Sequence, residues 1–265
     1  MQLPEILSTA ASRSGIVSPL LKGLILTPGL FLLLLTGCTR TESLTSPKRI
    51  VIPKLSEKIS VDARLDEAVW QKAATLSLVL NSDSTPGREA TEVRLWYDDE
   101  ALYLAWICSD SDIQATFTER DSRFWEEEVC ELFITAENLE QYFELQWNPL
   151  GGEFDAIIDN PLDESGLSQD IEGHWEYTAQ SMKSAVHVDG SVSDATDTDV
   201  KWQIEAVVPF SDLDVSSPEA GDTWRGNFYR FNRGTGHEAE GLAWSPTLLR
   251  SFHQPSRFGY LIFGE

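Results

Sequence analysis

The residues best placed to do chemistry lie between Arg120 and Asn148, in RDSRFWEEEVCELFITAENLEQYFELQWN. Read as two strands, this stretch puts Trp125 at the mouth of the first and Glu131 inside it, with Glu144, Gln146 and Asn148 on the second. Successive strand residues point to opposite faces. Cys130, Leu132 and Ile134 therefore share a core face with Phe143, Leu145 and Trp147, while Glu131, Glu144, Gln146 and Asn148 point the other way. A flat aromatic surface beside fixed carboxylate and amide partners suits hydroxyl-rich rings with weakly apolar faces. Glu131 and Glu144 on adjacent strands also offer the raw material of glycoside hydrolysis, which needs two carboxylates roughly 5–10 Å apart around a cleft.

The elements that must position these groups are β-strands. Arg49–Pro53 reads as an edge strand, and Thr91–Trp96 and Leu102–Cys108 as a hairpin closed by Asp98-Asp99-Glu100. Gly151-Gly152 turns the chain into Phe154–Ile158. The polar segment 159–173 reads as a surface loop, and Trp175–Met182 and Ala185–Val188 as further strands. Trp202, Ile204, Ala206 and Val208 alternate ahead of Pro209, Trp224–Asn232 is another strand, and Phe258–Phe263 is the last. The one short helix expected follows Asp62 as its cap, with Leu65, Val69 and Trp70 on its apolar side. Many short strands and almost no helical period predict an all-β fold, a two-sheet antiparallel β-sandwich over 49–265.

Composition narrows the function. A formal net charge of −23 leaves no basic cluster to neutralise phosphates, so nucleic acid is excluded as a partner and polyanionic glycans are disfavoured. Of the nine tryptophans, one or two are expected to face solvent, with Trp202 and Trp244 in the core. Asp62, Asp98, Asp99, Asp110 and Asp112 carry oxygens suited to calcium but lack the EF-hand spacing, so they read as surface acid.

The amino terminus reads as an address. LILTPGLFLLLL at 24–35 follows Arg13 and Lys22 and ends in Leu35-Thr36-Gly37-Cys38. That run is too short and too broken by Pro and Gly to span a membrane comfortably, and its flanks describe a secretory signal. Small residues before a cysteine resemble a bacterial lipobox, which implies cleavage after residue 37 and lipidation of Cys38. Residues 38–48 then form a Ser/Thr-rich tether, and Thr39, not being Asp, fits an outer-membrane destination. The remaining cysteines, Cys108 and Cys130, fall in what read as neighbouring strands. A cross-strand disulfide and a pair of buried free thiols are both open to them. No C-x-x-C spacing points to zinc.

Five segments, VDARLDEAVWQKA, VRLWYDDEALYLAWICSDSDI, FWEEEVCELFIT, IEAVVPFSDL and AWSPTLLRSFHQPSRFGYLIF, occur in this order and together resemble the family 9 carbohydrate-binding modules. The resemblance covers about residues 49–265. It implies a sandwich that grips a neutral oligo- or polysaccharide end between two aromatic rings on a concave sheet. Transferred residue by residue, Trp125 is the first aromatic and Phe252 the second, Glu131 is the carboxylate that accepts sugar hydroxyls, and Arg230 and Asn232 in FYRFNR lie on the strand of the amide contacts. Phe252 stands where the well-described sugar binders carry Trp, and Glu144 where they carry Arg, which exchanges a fork of donors for pure acceptors. Structural calcium is implied as an addition, and no cofactor is required. The reading is a non-catalytic, membrane-anchored binding lipoprotein working beside glycan-degrading enzymes. Two alternatives follow from the same residues: a haem b electron-transfer sandwich, for which Met182 beside Lys183 is the candidate, and the hydrolase built on Glu131 and Glu144.

Overall fold

The computed structural model describes residues 46–265. The expected leader, Cys38 and all but the last residues of the tether lie outside the described residues. Fourteen strands follow in chain order: β1 (Arg49–Ile52), β2 (Ala74–Ser77), β3 (Val79–Leu80), β4 (Thr91–Tyr97), β5 (Ala101–Ser109), β6 (Val129–Thr135), β7 (Gln141–Trp147), β8 (Glu153–Asp159), β9 (Glu172–His174), β10 (Lys183–Asp189), β11 (Lys201–Pro209), β12 (Thr223–Asn232), β13 (Glu240–Ala243) and β14 (Gly259–Phe263). One sheet runs β1-β14-β12-β6-β7-β8-β9, with β13 joining β12 to β3; the other runs β10-β11-β5-β4-β2. All pairings of named strands are antiparallel except β1 with β14. The expected β-sandwich is the fold, and no helix among the described residues is long and apolar enough to cross a membrane.

The alternation read from the sequence builds the interior. Leu102, Leu104, Trp106 and Cys108 of β5 and Trp202, Ile204, Ala206 and Val208 of β11 meet Cys130, Leu132, Ile134, Leu145 and Trp147 of the larger sheet in one buried cluster. Met182 belongs to that cluster too and is 8% exposed. Trp202 and Trp244 are buried, as expected, and Trp175 is the conspicuously exposed tryptophan at 49%.

Three local readings are corrected. The helix near Asp62 is a short 3-10 turn, Ala68–Lys72, that starts after Glu67. Asp62 instead accepts from the Arg64 amide, and Ala63 and Leu65 take positive φ values that an α-helix cannot contain. Buried Glu205 gathers this segment by accepting the amides of Asp62 and Ala63 and the Trp70 indole. Trp175–Met182 is a run of turns, not a strand. Cys108 and Cys130 sit on opposite sheets, not on neighbouring strands. They face each other across the core as free thiols, Sγ to Sγ 3.4 Å.

Candidate functional site

The outer face of β6, β7 and β12 is where the candidate residues converge, and a second apolar layer covers much of it. Phe133, Tyr142, Tyr229, Phe252 and Phe258 pack there in a buried cluster separate from the inter-sheet core. That is why β6 is buried at every residue. The segment between β13 and β14 forms the cover. It is fastened where the Tyr229 hydroxyl donates to the Phe252 carbonyl at 2.9 Å. The Asn227 side chain donates to the Ser245 carbonyl and accepts from the Ser245 amide.

Between this cover and the turns on the β8–β9 side lies a cavity of about 430 Å³, within the range of small-molecule sites. Trp125, Glu131, Glu144 and Phe252 all line it. Phe252 is 5% exposed and lies between two rings of β12, 4.2 Å from Tyr229 at 12° and 4.6 Å from Phe231 at 28°. On the other side Trp125, Phe154 and Trp175 meet edge to face in a mutual triangle with centroids 5.5–5.6 Å apart. Trp125 stands on a 3-10 turn, Phe124–Glu126, anchored by wholly buried Phe124. The Arg233 guanidinium donates to the Trp125 and Glu127 carbonyls, fixing that turn from outside. Gly173 lets the second indole close in, since a Cβ there would sit 2.5 Å from Trp175 Nε1.

The floor is acidic. Glu131 is 2% exposed and Glu144 6%, on paired strands with Glu131 opposite Gln146 and Phe133 opposite Glu144. Gln146 is fully buried beneath and donates to Glu144 Oε1 at 2.5 Å. It orients the carboxyl and does not line the cavity. Asn148 also works inward, accepting the amides of Leu150 and Gly152 and donating to the Phe117 carbonyl, which locks a turn.

His253 lines the cavity as well. Its Nδ1 is 2.7 Å from the Tyr142 hydroxyl, which itself accepts from Asn160. Burial lowers the His253 pKa to about 4, so the 3.9 Å approach of Nε2 to Glu144 Oε2 is a neutral contact at neutral pH. Trp175 was missed because its segment reads as a strand, and its signal was a tryptophan two residues after Gly173 at the end of a polar loop.

Two expected contacts lie elsewhere. The register of β12 on β6 sets Tyr229 opposite Glu131 and Arg230 opposite Cys130, so Arg230 points between the sheets. It is fully buried, 2.6 Å from Asp110 and 3.2 Å from Glu128, and donates to Thr91 Oγ1 and the Ser109 carbonyl on the other sheet. It does not pair with Glu131. Asn232 has the same parity and donates to Glu89 at 3.2 Å. Arg120 pairs with Glu153 and Asp155. The described residues contain no cluster of His, Cys, Asp or Glu arranged to hold a metal ion.

Burial pushes the Glu131 pKa well above the usual carboxylate range, and Glu144 adds to the rise. Burial carries Glu144 to about 7 against the opposing hydrogen bond from Gln146. A carboxyl whose folded pKa exceeds its unfolded value binds its proton more tightly when folded. Its stabilising contribution is complete below the unfolded pKa and lost as pH rises through the folded one. Stability should therefore fall between about pH 4.5 and about pH 7, by on the order of 3 kcal/mol from Glu144. Glu128, also pushed to about 7 by burial, acts in the same direction. Urea unfolding across this interval checks the sign, and Glu144→Gln should give a distinctly shallower decline. An unchanged slope in that variant contradicts the assignment.

Comparison with known proteins bears on the family and the fold. Residues 59–263 match carbohydrate-binding family 9. A presumed carbohydrate-binding protein from Bacteroides uniformis superposes with a TM-score of 0.67 at 20% identity, over 82% of this chain and 100% of its own. A family 9 module from Caldicellulosiruptor kristjanssonii superposes with a TM-score of 0.55 in its cellotriose complex, at 13% identity over 82% of this chain and 94% of its own. Its glucose complex gives 0.55 at 14% identity over 82% and 97%. No curated protein matches. With the family match running from before β2 to the end of β14, this chain belongs to carbohydrate-binding family 9.

Proposed function

We propose that the cavity holds the end of a saccharide against Trp125, with Phe252, its faces already stacked on Tyr229 and Phe231, only closing the opposite side and Glu131 and Glu144 taking the polar groups. The observation that carries this reading is that both aromatics and both acids, drawn from four separate chain segments, line one cavity on the face away from the inter-sheet core. The family 9 module of Caldicellulosiruptor kristjanssonii was solved with cellotriose and with glucose, which supports a sugar in the same kind of sandwich. Glu131 and Glu144 stand side by side on one sheet face, an arrangement that suits gripping one ring more than flanking a bond. In this reading the chain is a non-catalytic module, exported and lipid-anchored through Cys38, that captures polysaccharide for enzymes breaking it down.

Titration calorimetry of the purified protein with soluble mono- and oligosaccharides tests the site. Stacking worth on the order of 1 kcal/mol and charge-assisted hydrogen bonds of roughly 1.5–3 kcal/mol each, less ordering costs, place the affinity between micromolar and millimolar. No heat with any saccharide overturns the reading. Fatty-acid labelling in cells, lost in Cys38→Ala, tests the anchor separately.

A further inference from the structure

The floor of the cavity holds more carboxyl groups than a neutral ring requires. Glu131, 2% exposed, has no hydrogen-bond or ion-pair partner among the described residues, and Glu144 has only Gln146 and the neutral edge of His253. Arg250, the cation on the lining, is exposed at the rim, and Arg123, 5.8 Å from the Trp125 ring, is tied to Glu126 in solvent. A buried carboxyl left without a donor is costly in either protonation state. The indoles on the wall compound the bias, because the ring quadrupole of Trp125 and Trp175 attracts cations. Among saccharides, a ring bearing an ammonium group supplies both a cation for the acids and an apolar face for the indoles.

We propose that the cavity selects an amino sugar with a free, protonated amine over the corresponding neutral hexose. This rests on the carbohydrate-binding reading and names the ligand class within it. The titratable groups near the acids are Tyr142 from β7, Tyr229 from β12 and His253 from the cover, with Arg250 exposed at the rim. Burial raises both phenols, which stay neutral. Binding of the ammonium therefore draws a proton off the acid pair into solvent: the N–H⁺ enters, a carboxyl O–H ionises, and the charge inside the cavity balances.

Calorimetry near neutral pH with glucosamine and its oligomers, set against glucose, cello-oligosaccharides and the N-acetylated forms, decides the matter. Measurement in two buffers of different ionisation heat counts released protons. The amino forms should bind about tenfold tighter than the neutral ones, the difference between charge-assisted and neutral hydrogen bonds. They should release protons where the neutral sugars release none. The double variant Glu131→Gln, Glu144→Gln should bring both classes to one affinity, its fold checked by thermal melting. Equal affinity in the native protein overturns the selection and leaves carbohydrate binding standing. Absence of binding to every sugar removes both. Tight binding of the amino oligomer that persists in Trp125→Ala marks general attraction to an acidic surface and also overturns it.

Discussion

Arg230→Ala should destabilise the protein by about 3–5 kcal/mol, the cost of stripping a cation from a buried ion pair. The Arg230 guanidinium is fully buried and serves both Asp110 and Glu128, whose side chains are 1% and 0% exposed. Without it, two carboxyls would remain in a dry interior with their largest compensation gone. Burial already pushes Glu128 to about 7 with the arginine present. Asp110 is likewise raised by burial, with Arg230 opposing. Equilibrium urea unfolding measures the loss. Adding Asp110→Asn and Glu128→Gln to an Arg230→Met background should recover most of it, because neutral groups of similar shape remove the orphaned charge. A loss under about 1 kcal/mol would mean that water reaches this end of the sandwich. Because Arg230 faces away from the cavity, the fraction that stays folded should bind saccharide as the native protein does.

Trp125→Ala should have the opposite signature, with binding lost and the fold kept. Tryptophans at the centre of a binding surface commonly contribute about 2 kcal/mol or more, so affinity should fall roughly thirtyfold or further. Trp125 is only partly buried, and its contacts are to Phe154, Trp175 and the turn that carries it. The melting temperature should therefore move little. Titration of the variant with the best saccharide found for the native protein, alongside its thermal melt, separates the two effects. Undiminished affinity would place the ligand away from the indole and end the proposal for this cavity.

The contrast between these two residues shows what the chain discloses about itself. The parity of Glu131 and Glu144 was legible because Leu132, Leu145 and Trp147 leave only one face of β6 and β7 for the core. The parity of β12 was not. In FYRFNR aromatic rings fall on both faces, Phe228 inward and Tyr229 and Phe231 outward, so no apolar stripe fixes the register and Arg230 reads equally well on either side. Gln146 shares the outward face of Glu144, yet it is sealed beneath it, because alternation gives direction and not depth. Trp175 and His253 depend on irregular segments whose paths are set by tertiary contacts, such as the Tyr142–His253 hydrogen bond. Cys108 and Cys130 were correctly read as core residues, but which sheet each strand joined was a matter of topology.

The two sides of the cavity are built differently. All three aromatics stand on connections between strands, but Phe252 is buried between two rings of β12, whereas Trp125 is only partly buried and Trp175 is exposed. A mutation on the Phe252 side disturbs strand packing and is purged for that reason. One on the tryptophan side alters a turn and leaves the scaffold intact. Divergence in ligand preference among chains of this architecture should accumulate on the tryptophan side, which makes those connections the place to begin retargeting the protein in the laboratory.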